Sequence, residues 1–360
     1  MGRKPRLLHV FSTFKVGGPQ TRFAALVPAL DSEFAHDVIA MDGNYAAGEL
    51  IAGNADVRLL RLEQSGSLLK RISCCRRFIA DNSPDLMISY NWGAIEWSAA
   101  NLFGVPHIHI ADGFGPEEAV RRLGRRNLAR RWLLATVSAV VVPSRTLQQI
   151  AGTEWNLGGG KLRYIPNGLL PGDASPTPPG TAQPRIAWAG AMRTEKNIGR
   201  LLEAFAPLRG QAELVLAGDG PERAGAQAQA RAMGLENSIR FLGHRQDIGT
   251  IFRQAQLVAL SSDTEQMPLV VLEAMEAGRP VASVDVGDVR TMISEDNKSF
   301  VTGHSAAALS ESLRTLLGDP DLCARIGAAN RRRLEAHYHI DRMVGSYRDL
   351  FREFIRRPAS

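Results

Sequence analysis

Short apolar runs rich in β-branched residues alternate with helical patterns along the whole chain. In the first half these runs are LLHVFS, HDVIAM, DLMIS, HIHI and AVVVPS, and a candidate helix follows each of them. Strands that alternate with helices in this way build βαβ units, in which helices cover both faces of a parallel sheet. The alternation therefore predicts an α/β fold.

A proline-rich stretch, PGDASPTPPGTAQP at residues 171–184, interrupts this alternation near the middle of the chain. Such a stretch favours extended backbone and indicates a linker or a domain boundary. Beyond it the pattern restarts with RIAWAG, AELVLAG, SIRFLG, QLVAL and PVASV. The 360 residues suffice for two domains, and we predict one Rossmann-like domain over 1–175 and a second over 180–335. An amphipathic pattern at 340–356 could pack back on the first domain.

The charge of the chain favours an anionic ligand or surface. Lys and Arg number 43 against 37 Asp and Glu, which gives a formal net charge of +6. Much of the excess lies in the run RRLGRRNLARR at residues 121–131. No aromatic residues interleave with this run, so a stacking platform for single-stranded nucleic acid is not expected. We therefore do not expect nucleic acid as a partner.

Cysteine usage and hydropathy favour a cytoplasmic protein. The three cysteines, Cys74, Cys75 and Cys323, form no C-x-x-C pair, so neither a disulfide framework nor a zinc site is expected. No apolar run reaches the roughly 18 residues that a membrane-spanning helix needs. The apolar pattern at the N-terminus breaks too early for a secretory signal. We expect a reducing, cytoplasmic location.

The loops that follow strands are the candidate ligand sites, because ligands of open α/β sheets bind beyond the carboxyl ends of the strands. After the first strand, Gly17 and Gly18 precede a helix and would let backbone N–H groups approach a ligand, although a tight turn explains them equally well. In the second domain, Arg193 and Lys196 could hold one diphosphate from two sides, or could be solvated loop cations. Gly218 lies in a similar glycine-rich turn, AGDGPE.

The stretch SSDTEQMPLVVLEAMEAG sets two glutamates, Glu265 and Glu273, on either side of Pro268. Pro268 suits the first turn of a helix and disfavours helical geometry at Met267. We therefore place Glu265 in a loop and Glu273 in the second turn of the helix that follows.

The first N–H groups of this helix, near Leu269 and Val270, have no partner within the helix and lie at the positive end of its dipole. Such a helix end favours an anion such as a diphosphate. A diphosphate would repel the two glutamates, but each carboxylate can accept two hydrogen bonds from vicinal hydroxyls. One phosphate site between two diol-binding glutamates describes a nucleoside diphosphate sugar, with ribose at one glutamate and the transferred sugar at the other.

The segments GGPQTR, MRTEKN, AGDGPE and E-x-x-x-x-x-x-x-E occur in this order, and together they resemble the family 4 retaining glycosyltransferases of the GT-B fold. The resemblance extends over essentially the whole chain and implies two Rossmann-like domains that face each other across a cleft. It implies transfer of a sugar from a nucleoside diphosphate sugar with retention at the anomeric carbon. Attack would be front-face, with the leaving phosphate oxygen helping to accept the acceptor's proton. It also implies that neither a metal nor another cofactor is required.

The same resemblance implies roles for individual residues. Glu273 would bind the ribose hydroxyls and Glu265 the donor sugar, while Asn167 and Gly168 in IPNGL match a structural turn. The implied donor-binding residues are Gly17, Gly18, Arg193, Lys196, Gly218, Glu265, Met267, Pro268, Leu269, Val270 and Glu273. The implied catalytic candidates are Lys196, Arg193, Glu265, Asp112 and His109.

Two departures from the family pattern affect these roles. Many members carry arginine directly after the glycine of the phosphate loop, where this chain has Ala191 and offers Arg193 instead. Many also carry a histidine near the sugar in the first domain, where PHIHIADGFGPEE places Asp112, with His109 three residues earlier. Either side chain could reach the acceptor or the sugar. His109 could equally be packed in the sheet, as is expected of His107.

The acceptor that the resemblance implies is a glycan or a lipid-linked molecule, in the synthesis of cell-envelope polysaccharide or lipopolysaccharide. Such an enzyme could attach peripherally to the inner face of the plasma membrane, where each basic residue near anionic lipid contributes about 1 kcal/mol. The alternative is a solvated helix face. The residues expected to face the membrane are Arg121, Arg122, Arg125, Arg126, Arg130 and Arg131.

Two other functions fit the same architecture. A sugar-nucleotide 2-epimerase would bind the same donor, and a non-catalytic nucleotide-sugar binding protein would bind it without turnover. A glycosidase fits less well, because its two carboxylates would not need cations and a helix end directed at a diphosphate.

Overall fold

The computed structural model describes residues 3–51, 53, 55–63, 65–102, 104–114, 118, 123–172 and 183–355. The chain forms two compact units: unit 1 consists of residues 1–167 and 341–360, and unit 2 of residues 168–340. Unit 1 thus ends before residue 175, where the sequence suggested a boundary. Most of the proline-rich stretch, residues 173–182, lies outside the described residues.

Unit 1 is built on one parallel sheet, whose strands in chain order are β1 (Arg6–Phe11), β2 (Ala35–Ala40), β3 (Val57–Leu60), β4 (Leu86–Tyr90), β5 (His107–Ile110), β6 (Ala139–Val142) and β7 (Leu162–Tyr164). Their order in the sheet is β3-β2-β1-β4-β5-β6-β7. The chain thus extends the sheet from β1 in one direction and then, from β4 onwards, in the other. The carboxyl ends of β1 and β4 mark the switch point at which ligands of such sheets bind.

Helices cover this sheet and complete the unit 1 core. They are α1 (Gly18–Leu30), α2 (Leu68–Asn82), α3 (Glu96–Ala100), α4 (Gly124–Ala135), α5 (Arg145–Thr153) and a last helix at Ile340–Ile355. Helices α2 and α3 pack against β1 and β4, with Ile79 and Trp97 buried between helices and sheet. Helices α4 and α5 pack against β6, through Leu134 and Leu147.

Unit 2 repeats the plan with a second parallel sheet, whose strands in chain order are β8 (Arg185–Ala189), β9 (Glu213–Ala217), β10 (Ile239–Gly243), β11 (Leu257–Leu260), β12 (Val281–Val284) and β13 (Val301–Thr302). Their order in the sheet is β10-β9-β8-β11-β12-β13. Here the switch point lies at the carboxyl ends of β8 and β11. The helices of unit 2 are α6 (Ile198–Phe205), α7 (Arg223–Ala232), α8 (Ile248–Arg253), α9 (Leu269–Glu276), α10 (Val289–Met292), α11 (Ala306–Gly318) and α12 (Pro320–His337).

Both faces of the unit 2 sheet are buried, because successive side chains of a strand point to opposite faces. On β8, Ile186 and Trp188 enter one apolar cluster with α6 and α11. Ala187 and Ala189 enter the other cluster, with α9. This two-sided burial explains why the strands read as continuous apolar runs in the sequence.

The final helix of the chain, α13 (Ile340–Ile355), belongs almost entirely to unit 1. Arg348 and Arg352 form ion pairs of 2.8 and 2.5 Å with Glu33, in the turn after α1. The ring of Phe351 packs edge-on against Phe34, with ring centroids 5.9 Å apart. Helix α13 is thus anchored beside the end of α1.

Candidate functional site

In unit 2, an ion pair and hydrogen bonds join the loops that follow β8 and β11. The ammonium of Lys196 lies 2.5 Å from Oε1 of Glu265. The hydroxyl of Ser261 donates to the carbonyl of Lys196 (2.9 Å), and the N–H of Asp263 donates to the carbonyl of Glu195 (2.8 Å). These loops lie at the switch point of the sheet, where ligands of α/β folds bind.

The ion pair brings together two residues that the sequence assigned to neighbouring parts of one ligand. The side chains of Lys196 and Glu265 are 21% and 11% exposed, so both are held within the site rather than in solvent. The hydroxyl of Ser262 also donates to Oε1 of Glu265, at 2.8 Å. Arg193 differs, because its side chain is 59% exposed and lies 3.9 Å from Glu195. In this loop, Lys196 is therefore held in place by its ion pair, whereas the side chain of Arg193 is exposed to solvent.

Helix α9 begins at Leu269, directly after Pro268, as the proline predicts. Pro268 is the N-cap residue with φ −68° and ψ 122°, and its own side chain makes no capping hydrogen bond. The first backbone bond of the turn runs from the N–H of Val271 to the carbonyl of Pro268 (3.1 Å). Within the described residues, the N–H groups of Leu269 and Val270 therefore remain available at the positive end of the helix.

Glu273, the fifth residue of α9, differs sharply from its neighbour Glu276. Glu276 is buried and accepts hydrogen bonds from the N–H of Gly172 (3.0 Å) and from Arg253 (3.2 Å). Glu273 has no such partner among the described residues. Burial raises the pKa of Glu273 to about 7, and the nearby charge of Glu276 adds to this. The carboxyl group of Glu273 is thus about half ionised at neutral pH. A ligand that donates hydrogen bonds from hydroxyl groups would stabilise its charged form.

Glycines allow the loops after β8 and β9 to touch. Gly218 has φ 155°, and a Cβ there would lie 1.8 Å from the carbonyl oxygen of Gly190. The N–H of Gly190 donates to the carbonyl of Ala217 (3.0 Å), and the N–H of Met192 donates to that of Asp219 (2.8 Å). The packing of the two loops therefore accounts for glycine at position 218, whether or not its backbone also touches a ligand.

In unit 1, the glycine pair lies at the start of α1. Gly17 is the N-cap residue with an extended backbone (φ −174°), and Gly18 is the first residue of the helix. The sequence analysis placed both glycines before the helix, whereas the helix includes Gly18. The side chain of Gln20 donates to the carbonyl of Thr13 (2.9 Å) and folds the preceding loop against the helix.

The structure separates the two candidates for the family's first-domain histidine. His109 lies buried in β5, with Nδ1 2.8 Å from the hydroxyl of Ser89. Burial, together with the charge of Arg130, lowers the pKa of His109 to about 3, so the ring is neutral. His107 shares the same hydroxyl at 2.7 Å and is packed in the sheet as expected. Asp112 follows β5 at the ligand-binding edge of the sheet, and its carboxylate is partly exposed.

Two residues that the sequence did not single out hold Asp112. Arg22 of α1 is buried, and both terminal nitrogens of its guanidinium bind the carboxylate of Asp112. The side-chain oxygen of Asn91, after β4, accepts the backbone N–H of Asp112 at 2.7 Å. The sequence signal for Arg22 is an arginine inside the apolar helical run TRFAALVPAL. Nothing comparable marks Asn91.

The prediction that the whole basic run faces a membrane is wrong for Arg130. This arginine is buried in unit 1, and its Nη2 lies 2.5 Å from Oε2 of Glu118. Arg126 also pairs with Glu118, at 3.4 Å. Cation–π contacts with surrounding aromatic rings offset the burial of a guanidinium. The rings within 5.0–5.2 Å of the Arg130 guanidinium carbon are those of Trp92, Phe114 and Trp155.

The remaining arginines of the run divide between exposed and undescribed positions. Arg125 and Arg131 are exposed on α4. Arg121 and Arg122 lie outside the described residues. In the part of the chain that the structure describes, no helix combines the length and apolarity needed to cross a bilayer.

Family models match both halves of the chain. The "Glycosyl transferase 4-like domain" matches residues 17–168, and "Glycosyl transferases group 1" matches residues 175–333. Both are glycosyltransferase models and together they match most of the chain, which therefore belongs to the glycosyltransferases. This membership confirms the family resemblance read from the ordered motifs.

The curated relatives of this glycosyltransferase include two enzymes named D-inositol 3-phosphate glycosyltransferase. That of Nocardia farcinica is 28% identical over 68% of this chain and 61% of its own length. That of Streptomyces avermitilis is 29% identical over 70% of this chain and 61% of its own length. The matched region thus spans less than two thirds of either relative.

Solved structures share the fold over nearly the whole glycosyltransferase chain. Anabaena HepE in complex with UDP and glucose gives a TM-score of 0.84 at 19% identity, covering 97% of this chain and 100% of that one. Sucrose-phosphate synthase from Thermosynechococcus elongatus gives 0.79 at 19% identity, covering 97% and 98%. These matches confirm the predicted GT-B fold with two Rossmann-like domains.

The contact between the loops after β8 and β9 predicts a large effect for Gly218→Ala. A Cβ would lie 1.8 Å from the oxygen of Gly190 on a backbone at φ 155°, and we expect a loss of about 2–4 kcal/mol from overpacking and strain. The measurement is urea unfolding followed by circular dichroism. Gly225→Ala is the matched control, because nothing lies within 4 Å of a Cβ there. Equal stability of the two variants would contradict the packing explanation.

Proposed function

We propose that the chain is a metal-independent, retaining glycosyltransferase that moves a sugar from a nucleoside diphosphate sugar to a glycan or a lipid-linked acceptor. The observation that carries the proposal is the arrangement around the start of α9. There the Lys196–Glu265 ion pair joins the loop before α9 to the loop after β8, the N-cap residue makes no side-chain capping bond, and Glu273 follows one turn later. The cations and the helix end would bind the two phosphates of one donor, and the two carboxylates would bind its two diols.

Lys196 supports diphosphate binding because its ammonium can exchange one anionic partner for another. In the structure its partner is Glu265, at 2.5 Å. A diphosphate at the start of α9 would compete for the same ammonium and would also accept the N–H groups of Leu269 and Val270. Glu265 would then be released to accept hydrogen bonds from sugar hydroxyls, with Ser262 still holding one of its oxygens.

The proposed reaction uses these groups to stabilise the leaving diphosphate. The bond between the anomeric carbon and the β-phosphate oxygen breaks, and the acceptor hydroxyl oxygen forms the new bond on the same face of the sugar. The acceptor's proton passes to the leaving phosphate oxygen. Lys196, Arg193 and the end of α9 stabilise the charge that develops there, so positive charge is available from the protein itself.

The comparisons suggest the first donor to test. Structures of Anabaena HepE contain UDP, and one contains UDP-glucose. A lipopolysaccharide outer core galactosyltransferase also shares the fold, with a TM-score of 0.74 at 13% identity. We therefore propose UDP-glucose as the first probe and a cell-envelope glycan, such as lipopolysaccharide or another polysaccharide, as the class of acceptor.

A donor panel tests the function. Wild-type protein is incubated with UDP-glucose, other UDP-sugars and GDP-mannose, with and without glycan acceptors, and products are separated by mass spectrometry. Transfer product or free sugar supports the proposal, whereas a C2 epimer supports the epimerase alternative and binding without turnover supports the non-catalytic one.

We expect Lys196→Ala combined with Glu273→Gln to lower turnover by about 100-fold or more. Lys298→Ala, which removes a lysine paired with Glu295 elsewhere in unit 2, is the control. Undiminished turnover in the double variant would contradict the site.

The pKa of Glu273, about 7 without ligand, predicts pH-dependent donor affinity. Only the ionised carboxylate can accept both hydrogen bonds of a diol, so affinity should rise with pH through neutrality and level off above it. Between pH 5.5 and 7.5 we expect a gain of roughly tenfold. Isothermal titration with UDP-glucose is suitable, because its diphosphate lacks the monoester proton that titrates near pH 6. Glu273→Gln should bind more weakly with a flat profile, and a flat wild-type profile would count against the ribose role.

We also propose peripheral attachment to an anionic membrane from the cytoplasmic side, through the outer face of α4. Arg125 and Arg131 are exposed there beside Leu128 and Trp132, which are 57% and 70% exposed. Cations attract anionic headgroups, and exposed aromatic and aliphatic side chains enter the interface. This surface replaces the one predicted from the whole basic run, because Arg126 and Arg130 are engaged inside unit 1.

Vesicle sedimentation tests the attachment. Binding to vesicles with phosphatidylglycerol is expected at low salt, and little binding to pure phosphatidylcholine. We expect Arg125→Glu combined with Arg131→Glu to lower vesicle affinity by about 10-fold or more, since each reversal removes roughly 1 kcal/mol of attraction and adds repulsion. Arg245→Glu combined with Arg314→Glu makes the same charge change at exposed arginines of unit 2 and should retain binding. No binding to anionic vesicles by the wild type would refute the proposal.

A further inference from the structure

Asn91, the residue directly after β4, holds a backbone conformation that side chains rarely adopt. Its φ is 59° and its ψ is −178°. This region is almost confined to glycine, so an asparagine there is strained and persists only where its surroundings fix it. Such strain concentrates at functional sites. The side chain of Asn91 must therefore make contacts that glycine could not.

Those contacts are directed at Asp112. The side-chain oxygen of Asn91 accepts the backbone N–H of Asp112 at 2.7 Å, and its nitrogen lies 3.4 Å from Oδ2 of the same residue. The backbone N–H of Asn91 donates to the carbonyl of Ile110 (2.8 Å), the last residue of β5. The strained residue thus holds both the backbone and the carboxylate of Asp112.

Arg22 holds the same carboxylate from α1. Its Nη1 binds Oδ1 of Asp112, its Nη2 lies 3.0 Å from Oδ2, and Nη1 also donates to the side chain of Asn167 at 3.2 Å. Burial alone would lower the pKa of Arg22, but the charge of Asp112 and its hydrogen bond to Arg22, together with Tyr347 and Tyr90, outweigh burial and hold the pKa above its usual value. Arg22 is therefore a permanently charged, buried partner.

The two neighbours leave Asp112 with capacity for one more bond. A carboxylate can accept about four hydrogen bonds, and three donor nitrogens from Arg22 and Asn91 approach its oxygens. The side chain of Asp112 is still 14% exposed, beyond the carboxyl ends of β4 and β5. A partly exposed carboxylate that is held in place at this edge of the sheet is suited to accept a hydrogen bond from a hydroxyl group.

We propose that Arg22 and Asn91 are positioning residues, which hold Asp112 as a fixed hydrogen-bond acceptor for a hydroxyl of the substrate. The assignment rests on the proposed function, since it concerns a sugar hydroxyl of the donor or the acceptor. It gives Asn91 a reason to occupy a glycine conformation. It also explains why α1 carries a charged residue, Arg22, on its buried side.

The test is Asn91→Gly, because glycine fits the backbone and removes only the side-chain bonds. We expect the midpoint of thermal unfolding to be unchanged or raised. Turnover of UDP-glucose, or of the sugar nucleotide that the donor panel selects, should fall roughly 10- to 100-fold as Asp112 loses its orientation. Affinity for UDP should be unchanged, since the residues assigned to its ribose and diphosphate, Glu273, Lys196 and Arg193, lie in unit 2. The matched control is Asn156→Gly, another asparagine of unit 1 with positive φ (56°), which should keep full turnover.

A double-variant cycle shows whether Asn91 acts through Asp112. In an Asp112→Asn background, adding Asn91→Gly should change turnover by less than about twofold, because coupled residues are not additive. Additive losses would overturn the proposal. So would full turnover in Asn91→Gly, or a fall in turnover matched by an equal loss of stability.

The outcomes also separate this assignment from the proposed function. If the wild type turns over no sugar nucleotide of the panel, the function fails and the positioning role fails with it. If the wild type is active and Asn91→Gly is equally active, only the positioning role is refuted.

Discussion

The ion pair between Lys196 and Glu265 organises the candidate site of unit 2, because it joins the loop after β8 to the loop after β11. A charge-assisted hydrogen bond of this kind contributes about 1.5–3 kcal/mol. That is of the order of a single phosphate contact, so a bound diphosphate could replace Glu265 without a large net loss. The pair joins the two loops in the structure, and in the proposed mechanism the ammonium of Lys196 would exchange Glu265 for a phosphate oxygen.

Two separate features would allow Glu265 and Glu273 to lie near the proposed anionic ligand. Glu265 is neutralised by Lys196 when no ligand is bound, which limits repulsion between the carboxylate and an approaching phosphate. Burial and the charge of Glu276 raise the pKa of Glu273 to about 7, so its carboxyl group gains or loses a proton at little cost near neutral pH. The uncapped start of α9 lies between them in sequence and supplies the complementary positive end.

Much of this arrangement follows from local sequence rules. Pro268 fixes the start of α9 and so places Glu265 in a loop and Glu273 in the helix, as the structure shows. The alternation of apolar runs with helices predicts both parallel sheets. Short, half-exposed strands such as β3 (VRLL) and β7 (LRY) give no such signal, because they lack a continuous apolar run.

What the sequence could not give is long-range pairing. The contact of Arg22 with Asp112 joins residues ninety positions apart, and the backbone of Asn91 has no marker in its residue type. The prediction that the whole basic run faces a membrane was wrong for a similar reason, since Arg130 is bound by Glu118 and by the aromatic rings of Trp92 and Trp155. Charge counts record how many cations a segment has, but not which of them tertiary contacts bury.

A crystal structure of the protein with UDP-glucose would test the proposed donor site. We expect a diphosphate at the N–H groups of Leu269 and Val270, the ammonium of Lys196 moved from Glu265 to a phosphate oxygen, and ribose hydroxyls on Glu273. A nucleotide bound elsewhere, or one bound with the Lys196–Glu265 pair intact and Glu273 without a ligand contact, would contradict it.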